Sequence, residues 1–149
     1  GEVEKKAYFL CEGMAQISTM RNGQDRILDF FLPGSFFSSY SSFLKQSPSD
    51  VQVLTITACE LEVIYYEDLQ DAYEHSLLAN KLGRVATEQS YIKRVEREKD
   101  FLTKSAERRY QDLLISYPQI IHHIPVNKIA AYLGIHPESL SRIRKQMLS

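Results

Sequence analysis

Several common protein classes are closed off by what the chain lacks. No stretch approaches the roughly 20 consecutive apolar residues that a membrane helix needs, so no membrane partner is expected. Only two cysteines, Cys11 and Cys59, occur in 149 residues. They are too few for a disulfide-stapled scaffold and lack the CxxC spacing of a zinc or redox site. They read as two small buried hydrophobes in a reduced compartment, the cytoplasm. Residues 1–74 hold no histidine, which argues against a metal-dependent β-barrel enzyme, since that would need His-x-His and a carboxylate in its strands. Neither an enzymatic activity nor a cofactor is expected. Residue 1 is Gly rather than Met, so the natural start is expected upstream. What is present is an ordinary globular mix, 44% apolar and 25% charged, which excludes wholesale disorder and fits one domain or two small ones.

The net charge of −1 conceals an asymmetry. Residues 1–80 carry five basic residues (Lys5, Lys6, Arg21, Arg26, Lys45) against twelve acidic ones, or −7, while residues 81–149 carry thirteen against seven, or +6. An acidic half that avoids polyanions is joined to a basic half able to seek them.

The texture changes near residue 67. Before it, short β-like runs alternate with turns. Tyr8-Phe9-Leu10 ends at Gly13, and Met14 to Met20 leads into Asn22-Gly23, a strong hairpin signal because both residues tolerate positive φ. Ile27 to Phe31 is the partner strand and stops at Pro33-Gly34. A Ser-rich loop runs from Ser35 to Ser49. Val51 to Thr57 and Leu61 to Ile64 read as two further strands, so the first half is expected to be an antiparallel roll or barrel. After Glu67 the period becomes helical. Leu78, Leu82, Val85, Gln89 and Ile92 recur at steps of four and three, a heptad seam for a second copy, with Gln89 as a polar interruption that fixes register. The alternative is that this stripe packs on the chain's own roll.

The segment Val126 to Lys145 carries the chemistry. Ile129, Ala130 and Leu133 share one helical face, Gly134 ends that helix, and Pro137 suits the first position of the next. Leu140 and Ile143 turn the second helix inward. Two short helices, a Gly-containing turn and a small residue at their crossing form a helix-turn-helix pattern. On the second helix Glu138, Ser141 and Arg142 stand at i, i+3 and i+4, one exposed face near the N-terminus. Such residues read base edges in a major groove: Arg donates twice to guanine, Glu accepts from cytosine, and Ser serves either. Glu138 and Arg142 can also orient one another. Arg144 and Lys145 follow at phosphate distance. With Ser139 and Lys128 these residues form the expected DNA-binding set. His122 and His123 precede Pro125; on an extended segment they point opposite ways, which suits loop histidines better than a metal pair.

From these residues a resemblance emerges. Ile129 to Lys145 resembles the DNA-binding end of the cyclic-AMP receptor protein and fumarate–nitrate regulator (Crp–Fnr) family of bacterial transcription factors, and Glu138 to Arg142 is similar to the recognition-helix motif of the fumarate–nitrate branch. Residues 1–66 resemble the later strands of the family's cyclic-nucleotide-type β-roll, residues 77–102 its dimerisation helix, and Ala106-Glu107-Arg108-Arg109 to Leu114 the helix that opens its DNA-binding domain. The resemblance implies an α+β fold in three parts: a β-roll at 1–76, a dimerisation helix at 77–102 and a helix-turn-helix domain at 103–149. It also implies a homodimer on a palindromic site in double-stranded DNA, with RNA polymerase as a further partner and the small-molecule effector left open.

Three departures from the family accompany it. The family's roll usually begins some tens of residues earlier, so an N-terminal helix and first strands are expected before Gly1. The sequence as given ends at Ser149, just after the recognition helix, so the family's usual terminal wing is not expected within these residues. In the family's cyclic-nucleotide binders, Gly-Glu and an Arg eleven residues after that Gly grip the ribose and the cyclic phosphate. An ungapped placement between Pro33-Gly34-Ser35-Phe36-Phe37 and Ala58-Cys59-Glu60 puts Ser38, Ser39 and Ser49 there, so no response to cyclic AMP is expected. The rival reading is a helical protein-interaction module on a β-roll scaffold that binds no DNA.

Overall fold

The computed structural model describes residues 1–147 apart from Asn22. Six strands and seven helices follow in the order β1 (Lys6–Glu12), β2 (Ala15–Arg21), β3 (Gln24–Phe31), β4 (Phe36–Phe37), α1 (Tyr40–Lys45), β5 (Gln52–Thr55), β6 (Glu60–Tyr65), α2 (Tyr66–His75), α3 (Leu77–Thr103), α4 (Ala106–Ser116), α5 (Ile120–His123), α6 (Val126–Leu133) and α7 (Pro137–Met147). The strands form two three-stranded antiparallel sheets, β4-β1-β6 and β3-β2-β5. The expected β2–β3 hairpin forms, with Arg21 opposite Gln24 and Gly23 left-handed; Asn22, the other half of its turn signal, lies outside the described residues.

Alternation divides each strand between two environments. Leu10, Ala15 and Phe37 are buried between the sheets with Tyr8, Phe31, Val53 and Leu61, and the Phe37 ring stacks 5.3 Å from Tyr8 and 5.0 Å from Phe31. The second buried cluster is not confined to the strands. Met14, Ile27 and Phe30 share it with Tyr110, Leu113, Ile120, Ile124, Ile129, Ala130, Leu133, Leu140 and Ile143. Residues 77 and 103 are thus close to helix ends, while the core runs across them. The roll and the helical end are parts of one packed body.

Two local expectations are corrected. The Ser-rich stretch, expected to be a loop, contains β4 and α1, because Phe37 and Phe43 supply enough apolar surface to bury it. Between α2 and α3 the helical path breaks at Ser76, whose backbone is extended (φ −137°, ψ 115°) and whose side-chain Oγ caps α3 by accepting from the Ala79 N–H. Gly83 lets α2 fold back here, since a Cβ at that position would collide with the Tyr73 ring. His122 and His123 lie on the helical turn α5, not on an extended segment. Both are exposed, and among the described residues no cluster of His, Cys, Asp or Glu could hold a metal.

Candidate nucleic-acid interface and the ligand loop

The path of α6 into α7 is set by one residue. Gly134 adopts φ 70° and ψ 28°, the left-handed region, and the N–H groups of Gly134 and Ile135 return to the carbonyls of Ala131 and Ala130. Glycine takes this conformation without the steric cost a Cβ imposes, and the returning N–H groups satisfy carbonyls left open at the helix end. Pro137 then starts α7, with the N–H groups of Ser139 and Leu140 donating to the His136 carbonyl. Leu140 and Ile143 anchor α7 against α6. The opposite face of α7 leaves Glu138, Ser141, Arg142 and Lys145 exposed, while Ser139 and Arg144 are half-buried at its edges. The side chains of these six residues bond to nothing else among the described residues, so Glu138 and Arg142 do not orient one another as expected. The face is a set of free donors and acceptors on a helix whose N-terminal turn carries an exposed carboxylate.

Lys128 belongs to a different contact. Its ammonium donates to the Gln16 Oε1 at 2.7 Å, and Gln16 is completely buried in β2. The side chain is spent on the roll instead of joining the α7 face. The two residues are 112 apart in sequence, and no local pattern announces the pair. A second polar contact lies nearby, where Lys93 of α3 bridges to Asp29 of β3 at 2.8 Å. Burial works against the charge of Lys93, but the Asp29 carboxylate outweighs it, so the ammonium's pKa lies above its ordinary value. Tyr132 packs on Phe30 with ring centres 5.0 Å apart, and burial pushes its phenol up.

The seam on α3 is open. Leu78, Leu82, Val85 and Ile92 are 64, 62, 37 and 56% exposed, and Gln89 between them is exposed as well. They occupy one face of the helix. A neighbouring face, with Gly83, Lys93 and Arg97, turns toward the rest of the chain. The stripe therefore does not pack on its own roll.

The loop expected to correspond to a cyclic-nucleotide site is occupied by its own hydroxyls. Ser38, Ser39 and Ser42 are buried. Ser39 and Ser49, which the ungapped placement puts at the two charged grips, lie side by side with their Oγ atoms 2.8 Å apart. Ser38 Oγ donates to the Lys6 carbonyl at 2.9 Å, Ser49 Oγ donates to the Val51 carbonyl at 2.8 Å, and Ser42 Oγ donates to the Ser47 carbonyl at 2.5 Å. None of these bonds involves a charged side chain. An anionic cyclic phosphate buried here would lose its hydration and gain no cationic partner. The residues do not fit that ligand.

The sequence profile of the cyclic nucleotide-binding domain matches residues 1–76. No curated protein matches the chain in sequence. Among solved structures, FixK2 from Bradyrhizobium japonicum aligns with a TM-score of 0.77 and 20% identity, over 99% of this chain and 77% of that one. CLP, the c-di-GMP-responsive global regulator of Xanthomonas campestris, aligns with a TM-score of 0.69 and 18% identity, over 99% and 79% of the two chains. A candidate transcriptional regulator of the crp/fnr family from Eubacterium rectale gives 0.75 and 15%, over 99% and 70%. At these identities the likeness is one of fold.

Proposed function

The chain belongs to the cyclic nucleotide-binding domain family through residues 1–76, and from that premise we propose that it is a cytoplasmic transcription regulator that binds a palindromic site in double-stranded DNA as a homodimer and does not respond to cyclic AMP. The observation that carries the reading is the outer face of α7. A helix fixed on one side by Leu140 and Ile143 leaves Glu138, Ser141, Arg142 and Lys145 free on the other. A helix entering a major groove needs such a face: base-reading donors and acceptors near its N-terminus, then cations for phosphates.

Ser139 stands at the edge of that face and Arg144 approaches the backbone. Lys128 is left out, since Gln16 already holds its ammonium. The exposed stripe Leu78, Leu82, Val85 and Ile92, with Gln89 as the polar register mark, is the proposed contact between two copies. Two-fold symmetry would then present two α7 helices to half-sites about 34 Å apart. RNA polymerase is the further partner that a transcription regulator engages, and no catalytic step is assigned to the chain. The test is selection of DNA from a random library by the purified protein. Enrichment of an inverted repeat with fixed spacing is the expected result; recovery of unrelated sequences, or no retention of DNA above a random duplex, would overturn the reading.

A further inference from the structure

The C-terminus of α6 is held by two arginines from outside the helix. Arg97, on α3, donates from Nη2 to the Tyr132 carbonyl at 3.0 Å, and its guanidinium lies 3.8 Å from the Tyr132 ring centre. Arg109, on α4, donates from Nη2 to the Leu133 carbonyl at 3.0 Å and from Nη1 to the Lys104 carbonyl, just past the end of α3, at 2.7 Å. Phe101 sits between the two guanidinium groups, 5.2 Å from Arg97 and 4.5 Å from Arg109, and its ring edge would lie 3.1 Å from a Cβ at Gly134. Carbonyls in the last turn of a helix are unpaired and carry the negative end of its dipole, so two cations there are favoured by charge as well as by hydrogen bonding. A guanidinium both stacks and donates in its plane, fixing direction as well as distance.

We infer that Arg97 and Arg109 are positioning residues for DNA recognition: they fix the angle between the seam on α3 and the recognition face on α7, and thereby set the half-site spacing that the dimer accepts. The inference deepens the DNA-binding reading above and rests on it. Arg97 and the seam residues share one helix, so the orientation of α6 against α3 is also its orientation against the two-fold axis. The step from α6 to α7 is fixed by the Gly134 turn and by Leu140 and Ile143. The two arginines thus tie α6, from which α7 turns, to α3 (Arg97) and to the junction of α3 and α4 (Arg109). Neither needs to touch DNA for this role. One base pair of altered spacing turns a half-site by about 35° and moves it by about 3.4 Å, so loosening the ties should show as tolerance of spacing.

The experiment is DNA selection with the full chain, followed by affinity measurements on the selected repeat with its spacer lengthened or shortened by one base pair. For the wild-type protein each altered spacer should lose a base-edge contact, about tenfold in affinity. Arg97→Gln and Arg109→Gln should each select the same half-site sequence, because the α7 face is untouched, yet bind the three spacers within about threefold of one another. Arg97→Lys, which keeps the charge and loses the stack, should recover part of the discrimination. Melting and sedimentation establish that each variant is folded and dimeric; if one fails to fold, the other carries the test. A folded variant that keeps the wild-type spacer preference overturns the inference, and so does one that weakens all spacers equally. If the wild-type protein selects no inverted repeat, the DNA-binding reading fails first and this inference with it, a distinguishable result.

Discussion

Replacing Leu82 and Val85 together with Glu should convert a dimer into monomers without unfolding the protomer. The four apolar seam positions expose, in sum, about two complete side chains per protomer, worth about 7–13 kcal/mol when two copies cover one another's stripes. Against this stand roughly 4–15 kcal/mol of lost translational and rotational freedom, so the seam lies close to the margin and every position counts. Leu82 and Val85 supply nearly half of the exposed area. Their removal forfeits about 3–6 kcal/mol, or two to four orders of magnitude in the dimerisation constant. The Glu pairs would also bring four carboxylates together near the two-fold axis, which adds repulsion.

Neither residue is buried within the protomer, so the monomer should lose little. Circular dichroism and the melting temperature should stay close to wild type, while sedimentation equilibrium over a concentration series reports the lost association. Affinity for the selected inverted repeat should fall with the dimer, because two linked half-sites become two independent weak ones. A double variant that sediments as a dimer at the wild-type concentration would refute the seam. A variant that is monomeric yet binds the repeat as tightly as before would refute the link between the seam and recognition.

Three further outcomes follow from other sites. Arg142→Ala should cost about 1–3 kcal/mol per half-site and relax the choice at one base pair, whereas Lys145→Ala should weaken all sequences alike and lower the salt slope by about one; an unchanged ratio of specific to random binding in Arg142→Ala would remove its base-reading role. Calorimetry with cyclic AMP and cyclic GMP should show no micromolar binding, since the two missing charge-assisted grips are worth about 3–6 kcal/mol together, and a micromolar dissociation constant for either would overturn the fit argument at Ser39 and Ser49. Gly134→Ala should destabilise the fold by about 1–2 kcal/mol from the left-handed backbone alone, read as a lowered urea midpoint; a variant of unchanged stability would show that the turn relaxes to another conformation.

What was legible in the sequence was local. The β2–β3 hairpin, the αL glycine at 134, the proline start of α7 and the stripe on α3 each depend on residues within one or two turns of one another, and each appears within a residue or two of its expected place. What was not legible joins distant elements. Nothing near Lys128 reveals that Gln16 Oε1 accepts a hydrogen bond from its ammonium, because the contact depends on how β2 faces α6. The division into a β-roll, a dimerisation helix and a helix-turn-helix domain gives no sign that Met14, Ile27 and Phe30 are buried with the helices; alternation shows that a strand has two faces but not what covers each. The α1 helix is masked in the sequence because serine reads as loop, although Tyr40, Phe43 and Leu44 stand at helical spacing and Phe43 is fully buried. Arg97 and Arg109 give the weakest signal of all, two charges among many on surface helices.

These long-range contacts converge on α6, whose one expected DNA contact, Lys128, is held by Gln16. Its N-terminal turn holds the roll through Lys128. Its middle, Ile129 and Ala130, lies in the buried cluster with Phe30 and Leu140, and its C-terminus receives both arginines. A helix of eight residues cannot stay rigidly aligned through its own hydrogen bonds, since isolated helices of that length are marginal in water. The direction of α7 therefore depends on the tertiary contacts made by α6 as well as on the anchors Leu140 and Ile143 of α7 itself. It follows that substitutions altering DNA selection without touching DNA should concentrate on the partners of α6 (Gln16, Arg97, Arg109 and Phe101). Changes of equal size at exposed positions of α2 or α5 (Glu67, Asp71, His122 or His123) should leave the selected sequence and its spacing unchanged.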